Sequence, residues 1–261
     1  EIHWQHADTW TLSSTLLELN SNHFKTSSKF TLTLPQGDQP AFMSLRNSFD
    51  IPDAKLAPHF LPTGVINEPA TNWLDHAFVA GHVKQGGILL HGALPNYPFR
   101  QHKGVFEVLF TANDTELHYA PDWQNIQGAF AEVRFFVDSM NINIFQGHSL
   151  TNQATIKHAT VSIDSLKSSK HISIQGDIES DLSAAISFLK HSPFKHLVTA
   201  IHDVVDIQGS TDINLDLEIP LRGQAFKANI KAHTQDAKAR IIPIDLAVSD
   251  INADLHFTES G

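Results

Sequence analysis

The chain has 261 residues, 41% apolar and 18% charged, with 18 Lys and Arg against 28 Asp and Glu for a formal charge of -10. That length suits one large all-β domain or two smaller ones with a core of their own, and the acidic balance argues against nucleic acid or an anionic membrane surface as a partner of its body. With no cysteine, a disulfide scaffold, Cys-based zinc sites and thiol catalysis are excluded.

Taken in chain order, the segments are dominated by alternation of apolar and polar residues, the signature of a strand with one dry and one wet face. "WTLSSTLLEL" (10–19) and "KFTLTL" (29–34) give early strands, the first alternating less cleanly. A turn follows at Pro35-Gln36-Gly37-Asp38, and "DAKLAPHFLP", flanked by Pro52 and Pro62, reads as a short helical or turn-like piece. Around "NWLDHAF" an amphipathic helix is expected. Trp73, Leu74, Ala77 and Phe78 share one stripe, Asp75 and His76 lie opposite, Pro69 stands near the start and Gly81 just past the end. The stripe should pack on neighbouring strands, and Gly81, Gly86, Gly87 and Gly92 should let the next strand bend or bulge.

"GVFEVLFTA" puts Phe106, Val108 and Phe110 on one face and Val105 and Leu109 on the other, so a helix or loop is expected over its second face. "AFAEVRFFV" reads the same way. Clean alternation returns in "SMNINIF" (Met140, Ile142, Ile144), "HISIQGDI" (Ile172, Ile174, Ile178) and "TDINLDLEIPL" (Ile213, Leu215, Leu217, Ile219). Between the last two, "DLSAAISFLKHSP" forms a helical stripe of Leu182, Ala185, Ile186 and Leu189, and "HLVTAIHDVVDI" a second of Leu197, Ile201, Val204 and Val205 ended near Gly209. In "PIDLAVSDINADLHF" the phase slips near Ser249-Asp250, as a bulge or tight turn requires. The sum is about a dozen strands with three or four short helices: a mainly β chain.

Chemistry is hard to find in it. No nucleophile elbow and no phosphate-cradling glycine loop occurs. Asp212, Asp216 and Glu218 alternate on what reads as a solvated face, and "DTELHYAPDW" matches no calcium loop. Protonating all 17 histidines would take the formal charge from -10 to +7, yet they are scattered, and the His3/His6 pair lacks a helix and further ligands. No metal, no cofactor and no catalytic residue is therefore expected. Trp4, Trp10, Trp73 and Trp123 could form a sugar-stacking platform, but anchoring strand ends and the helix is the plainer role.

The dry faces then decide. So few helices cannot cover them all. Either two sheets close into a β-sandwich binding glycan or protein, or one long curved sheet keeps a dry inner surface as a binding groove. Lipid suits such a groove, since each buried methylene is worth ~0.8 kcal/mol. No window approaches a membrane span and no signal-peptide pattern opens the chain. Because Glu1 is not an initiator Met, the chain is expected to be an excised segment.

The ordered set "WL" (Trp73-Leu74), "GHVKQGGILLHGAL" (81–94), "YPF" (97–99), "GVFEV" (104–108), "LHYAPDW" (117–123), "GAFAEVRF" (128–135), "FLKHSP" (188–193) and "LDLEIPL" (215–221) resembles the YhdP branch of the AsmA-like family across essentially the whole chain. The resemblance implies a long antiparallel sheet curved into a hydrophobic groove. It implies a parent anchored in the inner membrane of a Gram-negative bacterium and crossing the periplasm to move phospholipid between inner and outer membranes without catalysis. Residues 1–261 would be a middle segment, with strands over 1–68, helix plus strands over 69–150, and strands with a helical insertion at 181–206 over 151–261. Its lipid-groove lining is expected at Met140, Ile142, Ile144, Ile172, Ile174, Ile213, Leu215, Leu217 and Ile219, with Trp73, Leu74 and Phe78 as rim or cap. Its partners would be phospholipid acyl chains and, through other parts of the parent, the two membranes.

Overall fold

The computed structural model describes residues 1–7, 9–60, 68–119, 123–149, 153–192, 195, 198, 204–221 and 225–259, without the side chains of Phe60, Pro69, Ala70 and Leu74. Alternation builds fourteen strands: β1 (Ile2–His6), β2 (Trp10–Asn20), β3 (Lys25–Thr33), β4 (Phe42–Ile51), β5 (Phe78–Ala93), β6 (Gly104–Leu117), β7 (Ile126–Phe136), β8 (Ser139–Ser149), β9 (Ala154–Ile163), β10 (His171–Asp181), β11 (Val205–Gln208), β12 (Ser210–Pro220), β13 (Lys227–Ile241) and β14 (Leu246–Thr258). They form one open sheet in which chain neighbours pair antiparallel from β1 to β10, followed by β12, β13 and β14. β11 pairs with β13 in line with β12, so the two act as one strand interrupted at Gly209 (φ +133°). No second sheet faces it among the described residues. The closed sandwich is not the architecture.

Among the elements that lie wholly within the described residues, two α-helices interrupt the meander, α1 (Glu68–Ala77) and α2 (Leu182–Lys190), with a 3-10 turn over Ala54–Phe60. Two expectations about helices are corrected. Phe78 lies not on α1 but at the first position of β5. Val205 belongs to a strand rather than a helix end, and most of the helix expected around it lies outside the described residues. The segment around "DAKLAPHF" is helical as expected.

Pairing partners share a face, so register divides the sheet into an inner and an outer surface. The inner row runs through Phe106, Val108 and Phe110 of β6, Val133 and Phe135 of β7, Met140, Ile142 and Ile144 of β8, and Val161 and Ile163 of β9. All of these are buried. No helix covers the outer face of β6 and β7 among the described residues: Leu109, Phe130 and Phe136 are 38–40% exposed. The two-sided apolarity of these strands is instead shared among neighbours. Phe130 meets Phe145 at 5.7 Å, and the Arg134 guanidinium lies 4.8 Å over Phe136.

Bulges keep long strands in phase. One between Ser14 and Leu17 of β2 explains its imperfect alternation, and three register shifts in β5 fall around its glycines. Gly92 (φ +155°) and Gly104 have a tighter role: a Cβ on either would stand 2.5–2.6 Å from the ring of Phe99, which is only 1% exposed. Both must be bare for that ring to lie flat on the sheet.

The sheet is strongly curled. Trp123 lies just before β7 at one end of the strands, and Phe226 just before β13 at the other end, five inter-strand steps away. A flat sheet would separate them by at least ~24 Å, yet their rings are 6.4 Å apart. The inner face is concave.

Candidate functional site

Inside the concavity of β6–β14 is a cavity of about 250 Å³ lined almost wholly by apolar side chains. The floor comes from the inner rows of β8, β9, β10, β12 and β13, so the alternation read from sequence is what points these side chains inward. The roof comes from helices and loops. Leu182, Ala185, Ile186 and Leu189, the stripe expected of α2, face the cavity together with Phe188. Trp123 ties the roof together, 5.4 Å from Phe188, 5.8 Å from Tyr119 and 6.4 Å from Phe226.

Of the nine expected lining residues, Ile142, Ile144, Ile174, Ile213, Leu215 and Leu217 border this cavity. Met140, Ile172 and Ile219 share the same face but sit at the other strand ends, 1%, 0% and 8% exposed in close-packed core. Trp73 and Phe78 border the cavity, Ala77 is buried, and Asp75 and His76 face water, as the stripe requires. The Trp73 indole Nε1–H donates to the Tyr119 carbonyl at 2.8 Å, fixing α1 to the β6–β7 loop. The side chain of Leu74 lies outside the described residues.

Sequence reading missed Trp123, Tyr119 and Phe188 as a roof. "LHYAPDW" and "SFLK" carry the aromatic residues, but nothing in their spacing brings them together across the sheet. Among the described residues Trp4 and Trp10 are not buried anchors: they are 54% and 42% exposed, 5.2 Å apart on the inner side of the sheet's first edge, with Trp10 4.3 Å from the His6 ring. Burial raises the hydroxyl pKa of Tyr119, and that of Tyr97 from 10.0 to about 12.

The inner face is open at both flanks. Ile2, Trp4, Trp10 and Leu19 near one edge, and Leu246, Val248 and Leu255 near the other, are all more than 40% exposed. Apolar surface thus continues beyond the roofed part in both directions, unlike a closed core.

The polar groups are arranged differently. A wider open depression of about 680 Å³ over β9–β14 is bordered by Lys157, Asp177, Asp212, Lys231, His233 and Asp254. Several of its polar groups are paired: Lys157 reaches Asp212 at 2.8 Å and Glu179 at 3.2 Å, and His233 contacts Asp254 at 2.6 Å. Asp212 is held below the usual carboxylate range by the hydrogen bond from Lys157, and Glu218 by that from Lys227. The lysine–carboxylate contacts are solvated ion pairs of modest worth. Among the described residues no three His, Asp or Glu side chains converge as metal ligands, and no helix is long and apolar enough to cross a membrane.

The family model described as YhdP protein matches residues 1–261. The chain belongs to the YhdP family. Over 231 residues this YhdP-family chain is 21% identical to a protein of Escherichia coli (strain K12) named "Intermembrane phospholipid transporter YhdP". The aligned part is 88% of this chain and 18% of that protein, so the chain spans less than a fifth of its relative. No solved structure matches it significantly.

Proposed function

We propose that this chain is a non-enzymatic stretch of a lipid conduit, carrying phospholipid across the periplasm between inner and outer membranes within a longer, inner-membrane-anchored protein. The observation that carries the reading is the concave apolar face: partly roofed, lined by six of the residues expected from alternation, and open at both flanks. The printed name of the E. coli relative supports the same reading. Acyl chains would lie on the inner face, with Ile142, Ile144, Ile174, Ile213, Leu215 and Leu217 in contact and Trp73 and Phe78 at the rim. Met140, Ile172 and Ile219 would close-pack the same inner face beyond the cavity, at the opposite strand ends. Residues 1–261 would then act as one middle segment.

The test is a charge in the groove. Leu217 is fully buried, so Asp there would unfold the wall. Ile213 and Leu215 are half-buried and face the cavity. Ile213→Asp with Leu215→Asp in the full-length protein should abolish lipid transfer and reduce co-purified lipid at unchanged expression. The exposed outer-face change Asp216→Asn should do neither. Normal transfer by the double variant would sink the proposal.

A further inference from the structure

One row of paired residues crosses the concave face from the first edge to β6: Trp4, Leu12, Leu32, Met43, Gly92 and Gly104. As far as β4 it is open floor, with Trp4 exposed and Leu12, Leu32 and Met43 half-buried. On β5 and β6 the side chains stop. Bare glycine backbone takes over, and the Phe99 ring lies on it. The next row closes at the same strand. Phe30, Leu45 and Leu90 are half-buried, but their partner Phe106 is buried against Tyr97, with ring centroids 5.1 Å apart. Further along β6, Val108, Phe110, Ala112 and Leu117 are buried too. A packed wall therefore separates the open floor from the roofed cavity.

Tyr97 and Phe99 both belong to the loop 94–103 between β5 and β6, and that loop is lightly held. Among the described residues two hydrogen bonds tie it to the rest of the chain. The Leu94 N–H donates to the Ala41 carbonyl at 2.8 Å, and Arg100 Nε–H donates to Asp138 Oδ2 at 2.7 Å. The main-chain N–H bonds of Tyr97, Phe99 and His102 all end within the loop. The Arg100 side chain is 40% exposed, so its ion pair is a weak fastening. Phe99 and His102 have left-handed backbones, φ +72° and +57°, a costly conformation for side chains of this size that only the surroundings impose. Beneath the Phe99 ring Gly92 and Gly104 carry no side chain, so the ring can lift from the sheet without unpacking a residue under it.

We propose that the loop 94–103 is a lid and that the Gly92–Gly104 shelf under it is an acyl-chain site, where a lipid chain arriving along the open floor replaces the Phe99 ring. The inference rests on the lipid reading above, because a conduit needs a way across β6. Exchange of an apolar ring for an apolar chain on the same surface is nearly neutral in buried apolar area, and lifting relieves the left-handed backbone. A polar ligand gains nothing there, since the shelf is backbone already paired in the sheet, Gly92 with Met43 and with Gly104. Lifting the loop also bares Phe106. From it the same face leads through Val108 and Val133 to Ile142 at the cavity.

The test follows fluorescent phosphatidylethanolamine carried by the full-length protein from donor to acceptor vesicles of phosphatidylethanolamine and phosphatidylglycerol. These 261 residues contain no cysteine. Arg100→Cys with Asp138→Cys can therefore be bridged by a short reducible thiol linker, fastening the loop where the ion pair held it. Bridging should stop transfer, and reduction should restore it. Arg100→Gln frees the loop without touching the core and should speed transfer about threefold, as loss of one solvated ion pair implies. That variant decides independently if the cysteine pair is poorly tolerated. A bridged protein as fast as its reduced form overturns the lid and leaves the conduit standing, as does unchanged or slower transfer by Arg100→Gln. No transfer by the native protein overturns the conduit and the lid together.

Discussion

Tyr97 and Tyr119 are the only two tyrosines, which makes single-residue electrostatics measurable in this chain. Tyr97 stacks edge-on against Phe106 at 5.1 Å and Phe99 at 5.9 Å, and burial raises its hydroxyl from 10.0 to about 12. Burial raises Tyr119 as well. Because folding favours the neutral phenol, the contribution to stability is complete below the unfolded value near 10. It is lost as pH rises from there through about 12. Absorbance of tyrosinate should therefore stay low in the native chain at pH 10–11, while the chain in denaturant titrates both phenols together near pH 10. Tyr97→Phe should remove the native step near 12. A native tyrosinate band half-developed at pH 10 would refute the packing assigned to both rings.

The short elements work by anchoring. Helix α1 offers little surface, yet Trp73 donates to the β6–β7 loop while Ala77 is fully buried. The Trp73 ring is only partly buried, so Trp73→Ala should cost about 2–3 kcal/mol, below the full core-aromatic range. Trp73→Phe should cost less, losing mainly the hydrogen bond to Tyr119. Urea denaturation of both variants checks this, and a loss under 0.5 kcal/mol (roughly the surface-substitution range) for Trp73→Ala would mean the helix is not docked. The inward stripe of α1 was legible because burial imposes it whatever the backbone does. That same fact hid the junction at Ala77–Phe78, since a helix continuing and a strand starting both turn Phe78 inward. Alternation likewise marked Ile142, Ile144, Ile174 and Leu215 as inner-face residues. It failed where paired strands slip together. Phe145-Gln146 and Lys157-His158 are exposed at consecutive positions in adjacent β8 and β9, so phase resumes at Gly147 and Ala154–Ile156 without a local signal. The Trp123–Phe226 contact was illegible for another reason: it depends on the curl summed over the five strand pairs from β7 to β13.

At the scale of the whole molecule, stability should be graded across the sheet rather than uniform. Every residue of β1 is exposed, and nearly all of the first half of β14 is too, whereas β6 to β10 have hydrogen-bonded strands on both sides and an inner row buried under the roof. Local opening scales with buried apolar contact, so the flanks should open far more often than the centre. Amide hydrogen exchange should show β1 and β14 exchanging within minutes, and β6 to β10 slower by orders of magnitude. Lipid should then act unevenly: a bound diacyl lipid should slow exchange in α2 and β12, which border the cavity, and leave β1 unchanged. Uniform protection from β1 to β14, or a centre that opens as readily as the edges, would contradict both the graded core and the roofed groove. Slowing confined to β1 and β2 would instead move the resting lipid to the open floor beside Trp4 and Trp10.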